Sequence, residues 1–105
     1  MEYLNISWNE IDHVSSVSFR IKNNLTHLML QNNLLSNFPI KSEYLANLTY
    51  LDLSFNKLNE FPKSILKLPR LKYVNLAGNY FNSRNLHKIK KMPKRLKIDV
   101  FPLAR

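Results

Sequence analysis

The three histidines, His13, His27 and His87, and the seven carboxylates are the first side chains to weigh for proton transfer or metal binding. The histidines lie far apart among unrelated neighbours and show no metal-ligand spacing. The absence of cysteine removes a thiolate metal site, a thiol nucleophile and a disulfide framework together. Gly78 is the one glycine, so there is no glycine-rich phosphate loop and no Gly-x-Ser-x-Gly elbow. Asp52 stands near Tyr50 and Ser54, but a lone carboxylate there reads as a surface contact. These residues predict a non-enzymatic chain without metal or cofactor. What they do offer is recognition chemistry. Tyr3, His27, Tyr50 and Tyr73 recur at spacings of 24, 23 and 23 residues, with Trp8 and Phe55 on a parallel recurrence. Tyr and Trp are the side chains that dominate protein interfaces, because each brings a large apolar face and a polar tip.

Spacings this regular require a repeating element to carry them. The segments MEYLNISWNEI, LTHLMLQNNLL, LTYLDLSFNKL and LKYVNLAGNYF begin at Met1, Leu25, Leu48 and Leu71 and share the pattern LxxLxLxxNxL. Within it, Leu4/Ile6, Leu28/Leu30, Leu51/Leu53 and Val74/Leu76 alternate as the inward positions of a strand. A partial fifth copy follows Pro93, and the pattern places Leu96 and Ile98 in the same inward positions. Parallel strands stacked about 4.8 Å apart would turn these pairs into continuous apolar columns. The column Asn9, Asn33, Asn56 and Asn79 falls where the chain leaves each strand. A carboxamide both donates and accepts, so it can satisfy backbone groups that leucine would strand. Pro39 and Pro62 follow the strands and are expected to halt pairing and begin the return turn. The return segments close the core with Val14, Val17, Phe19 and Ile21, then Phe38 and Leu45, then Phe61, Ile65 and Leu68, and finally Leu86, Ile89 and Met92.

The four in-phase copies resemble the leucine-rich-repeat family across essentially the whole chain. Phe38-Pro39 and Phe61-Pro62 are similar to the second half of its 23-residue class. The resemblance implies an α/β fold: a right-handed solenoid with a parallel concave sheet, read as a single domain over residues 1–105. Residues 82–105 form the expected basic C-terminal cap, with a helix over Asn82 to Met92, a stop at Pro93 and a last strand over 95–100. HKIKKMPKRLKID is loosely similar to the cap of small nuclear and phosphatase-associated repeat proteins. No single repeat can bury its own apolar face, so the terminal ones need covering. Met1 already occupies a repeat's first position, which leads us to expect self-association through the open edge of the first strand as one way of covering it.

Family members usually bind partners on the concave face. The resemblance therefore implies a protein partner lying across Tyr3, Trp8, Tyr50, Phe55 and Tyr73 as anchors, with His27, Asp52 and Asn75 selecting polar groups. The position-3 column is expected to end at Arg95, and the position-5 column at Lys97.

Charge supplies the competing reading. The net charge of +9 is lopsided: residues 1–62 carry −2 and residues 63–105 carry +11. Lys88, Lys90, Lys91, Lys94, Arg95 and Lys97 crowd one short stretch, and Lys67, Arg70 and Lys72 extend it. Such a field suits a nucleic acid, an acidic membrane or an acidic protein surface, a nuclear import signal, or only a solvated cap. Asn5, Asn24 and Asn47 stand in N-x-S/T sequons that would matter only in a secreted protein. No apolar run approaches the roughly 20 residues of a membrane span and no leader is visible, so a cytoplasmic or nuclear location is expected.

Overall fold

A computed structural model describes residues 2–13 and 24–104. Within them, five short strands form one sheet: β1 (Glu2–Asn5), β2 (Leu25–Met29), β3 (Tyr50–Asp52), β4 (Tyr73–Asn75) and β5 (Lys97–Asp99). They are parallel throughout and lie side by side in chain order. The register joins like positions of successive repeats, as in His27↔Tyr50↔Tyr73 and Leu28↔Leu51↔Val74. Parallel neighbours need a crossover between them, and each repeat's second half provides it. After Pro39 and Pro62 the chain turns through 3-10 helices at Ser42–Leu45 and Lys63–Lys67, as the prolines lead one to expect. Stacked repeats of this kind make a leucine-rich-repeat solenoid.

The inward columns are dry. Leu28, Leu30, Leu51, Leu53, Val74 and Leu76 are all fully buried, and Phe38, Leu45, Phe61, Ile65 and Leu68 close the core from the return side. Each such side chain stabilises the fold by about 1.5–3 kcal/mol relative to exposure. Leu4, Ile6, Leu86 and Met92 are half-buried against the same cluster. The predicted core positions Val14, Val17, Phe19 and Ile21 lie outside the described residues.

The C-terminal end departs from expectation in phase. The helix α1 spans Ser83–Lys90, shorter than the expected Asn82–Met92. Asn82 is its N-cap, and a reciprocal pair of bonds closes the box: Asn85 N donates to Asn82 Oδ1, and Asn82 N donates to Asn85 Oδ1. The last strand is shorter than expected too, and its register pairs Tyr73 with Lys97, Val74 with Ile98 and Asn75 with Asp99. Lys97 and Ile98 therefore take the places assigned to Arg95 and Leu96. The cause lies in the turn before the strand. Leu96 N donates to Pro93 O, just as Leu48 N donates to Leu45 O and Leu71 N to Leu68 O. Leu96 thus acts as the leucine that opens a repeat and is buried in that role, and position 3 follows it one residue sooner than it follows Leu48 or Leu71.

The asparagine column forms a ladder of bonds between repeats. Asn33 Nδ2 donates to Leu30 O in its own repeat and to Ile6 O in the preceding one, while its Oδ1 accepts from Asn9 N and Ile11 N. Asn56 donates to Leu30 O and Leu53 O and accepts from Leu35 N. Asn79 repeats this with Leu53 O, Leu76 O and Leu58 N. Leucine at residue 56 should therefore cost about 1–3 kcal/mol for each backbone group left unpaired. Urea unfolding of Asn56→Leu is expected to show a clearly lowered midpoint, and an unchanged one would mean that the ladder adds nothing to stability.

Candidate recognition face

Each outward column of the sheet is built by one position of the repeat. Position 3 brings Tyr3, His27, Tyr50 and Tyr73 onto adjacent strands, and the rings stack in a continuous row. Centroids stand 4.0 Å apart for Tyr3–His27, 5.4 Å for His27–Tyr50 and 4.8 Å for Tyr50–Tyr73, with interplanar angles of 15°, 21° and 29°. The strand spacing fixes this, because rings at the same height on neighbouring parallel strands must lie about one strand separation apart. Stacking covers ring faces and leaves edges and hydroxyls outward. Tyr3 remains largely exposed, and the other three are half-buried.

The polar atoms of the row are partly committed. Thr26 Oγ1 donates to Glu2 O and lies 3.0 Å from His27 Nδ1. A hydroxyl has a single proton, so while Thr26 Oγ1 donates to Glu2 O its contact with His27 Nδ1 needs the proton of the ring. The Tyr73 hydroxyl donates to Asp99 Oδ2 at 2.7 Å. Burial, that bond and the Asp99 charge all disfavour the phenolate and hold the Tyr73 hydroxyl well above the usual tyrosine range. Tyr50 is raised as well, first by burial and then by the charges of Asp52 and Asp99. Asp99 is not among the partner-binding residues that the sequence points to, because its approach to Tyr73 depends on the register of β5.

Position 5 serves the fold before it serves any partner. Ser54 N and Ser54 Oγ donate to Asp52 Oδ1, Ala77 N donates to Asn75 Oδ1, and Ser7 donates to Asn5 Oδ1 in the same way. These are Asx turns that steer the chain out of each strand, and the pairing of Asn or Asp with Ser two residues on is their sequence signal. Asp52 and Asn75 each have one oxygen so engaged, which leaves Asp52 Oδ2 and Asn75 Nδ2 for further contacts.

Position 8 is the unusual column. Trp8, Asn32, Phe55 and Gly78 share a left-handed backbone, with φ of 60°, 60°, 55° and 72°. Asn and Gly tolerate that conformation, whereas bulky rings do so at a cost of about 1–2 kcal/mol. Yet Trp8 is 77% exposed, so little burial offsets its strain, and Phe55 is still 51% exposed. The Phe55 ring leans over Gly78, where a side-chain carbon would meet it at 2.4 Å.

The basic residues stand in different surroundings. Lys90, Lys94 and Lys97 rim an apolar groove between α1 and β5 that Leu86, Ile89, Met92, Ile98 and Phe101 help to line. Lys88 projects from α1, and Lys91 is its C-cap. Arg95 turns away and donates to Leu66 O. Among the described residues, no His, Asp and Glu side chains gather in a group that could hold a metal ion, and no helix is long and apolar enough to cross a membrane.

Parallel strands in chain order, an asparagine ladder and stacked outward columns define a repeat solenoid. The leucine rich repeat family model matches residues 23–81, more than half of the chain, and the chain belongs to that family. No curated protein matches it. Domains of this family commonly mediate protein–protein interaction and are generally not enzymes.

The Tyr73–Asp99 bond makes a prediction about alkaline pH. A hydroxyl whose folded pKa is raised contributes stability below about pH 10, the unfolded value, and loses that contribution as pH climbs through the folded value. Ultraviolet titration should show the Tyr73 phenolate forming at higher pH in the wild type than in Asp99→Asn, in which burial alone would still raise it. Equal titration of the two proteins would contradict the assignment.

Proposed function

We propose that the chain is a non-enzymatic recognition module that takes a segment of another protein across the concave face of its sheet. Tyr3, Tyr50 and Tyr73 anchor that segment, Trp8 and Phe55 flank it, and His27, Asp52 and Asn75 select its polar groups. The observation that carries this reading is the position-8 column: two large rings are held exposed on a backbone that disfavours them. Strain kept where burial does not offset it marks a site maintained for contact rather than for folding. The stacked row adds to the argument. Each ring is immobilised by its neighbours, so little side-chain entropy remains to be lost on binding.

Two experiments test the reading. Tyr50→Ala with Tyr73→Ala should abolish capture of a partner that the wild type retains at salt several times the physiological level of about 0.15 M. Lys90→Ser with Lys91→Ser should leave that capture intact. Loss only in the lysine variant would favour the anion-binding alternative over this one. Separately, Trp8→Asn should keep or raise the thermal midpoint, by relief of up to about 1 kcal/mol of backbone strain, while weakening capture. A variant that is destabilised and still binds normally would show that Trp8 serves the fold.

A further inference from the structure

The residue just before each repeat's opening leucine forms a column on the rim of the sheet, and this column changes character along the molecule. It reads Asn24, Asn47, Arg70 and Arg95. The turns that carry its last two members are fixed by Leu71 N donating to Leu68 O and Leu96 N donating to Pro93 O. Between them stands Lys72, whose backbone is tied on both sides: its N donates to Thr49 O, and its O accepts from Lys97 N. Arg70, Lys72 and Arg95 converge with Thr49, Pro69 and Leu71 on an open pocket of about 570 Å³. Arg95 belongs here and not to the aromatic row, because the phase of β5 removes it from position 3.

The partners of these cations are all neutral. Arg70 Nη1 donates to Asn47 Oδ1 at 3.2 Å, and Arg95 Nη2 donates to Leu66 O at 3.5 Å. No carboxylate lines the pocket among the described residues. Each guanidinium is therefore oriented by one nitrogen without being neutralised, and keeps further N–H donors for a ligand. Three positive groups on a rigid rim with no acid between them suit a group of double negative charge with several oxygens, and planar guanidinium forks match such oxygens in pairs.

We propose that Arg70, Lys72 and Arg95 form a binding site for a phosphate monoester, borne by a phosphorylated side chain of the protein partner. The site adjoins the aromatic row, since Thr49 precedes Tyr50 and Lys72 precedes Tyr73. The identity of the carrier rests on the function proposed above, whereas the affinity of the pocket for the phosphate group does not. Phosphorylation of the partner would add charge-assisted bonds at one end of the bound segment and so switch its capture on.

The test uses the intact chain, labelled with nitrogen-15, and titrates O-phosphoserine at constant ionic strength, with serine and a short oligothymidylate as the other probes. O-phosphoserine should shift the amides of Arg70, Lys72 and Leu96 saturably, and serine should not. Arg70→Ser with Arg95→Ser should weaken this binding by about tenfold or more, with the remaining spectrum retained as proof of folding. Arg95→Lys, which keeps the charge but loses the fork, should weaken it less. Tyr50→Ala with Tyr73→Ala should leave it unchanged, so that failure of this site and failure of the aromatic face are read separately. Shifts spread evenly over residues 88–97, or undiminished in the double arginine variant, would overturn the proposal in favour of a diffuse basic surface. Shifts at these amides with oligothymidylate and none with O-phosphoserine would overturn it in favour of a nucleic-acid backbone.

Discussion

The structure depends on one interaction: a buried carboxamide that completes the backbone hydrogen bonding at the exits of β2, β3 and β4. A chain leaving a sheet exposes carbonyl and amide groups that its neighbours no longer pair. Water would satisfy them at a surface, but here they lie over a leucine core. Asn33, Asn56 and Asn79 bond to groups of their own repeat and of an adjacent one. Each asparagine therefore fixes the vertical spacing of the stack as well as its own turn. With the spacing fixed, leucines at like positions meet in columns, and the core follows.

The same constraint governs the outer face. Register locked strand by strand places like positions at like heights, so any property written at one position of the repeat becomes a stripe on the surface. Position 3 gives a row of stacked rings, position 5 a row of Asx turns, and position 8 a row of left-handed residues. Residue type and backbone conflict only at the last of these, among the described residues. Asn32 and Gly78 meet the backbone's demand, whereas Trp8 and Phe55 oppose it while remaining in solvent.

Charge adds direction to this face. The lopsided field of the sequence resolves into two places of different chemistry: lysines around an apolar groove beside α1, and arginines on the rim beside the aromatic row. The first lies beside β5, at the edge of the sheet. The second has orientation, because neutral acceptors hold each guanidinium. Contiguity in sequence from Lys88 to Lys97 concealed this division.

The sequence alone determined the repeat, its phase over four copies, the inward leucines and the asparagine column. All of these are periodic, and a period of 23 or 24 residues survives local irregularity. It also placed Tyr3, His27, Tyr50 and Tyr73 in one column. Three things it left to the tertiary structure. The phase of the fifth strand hung on which leucine would close the core after a helix of unpredictable length, and Leu96 did so. The Tyr73–Asp99 bond and the arginine rim followed from that phase, since both join residues of neighbouring repeats. The left-handed backbone of Trp8 and Phe55 was hidden for a different reason: a ring at that position reads as an ordinary outward residue until the turn imposed by the asparagine ladder fixes its dihedrals.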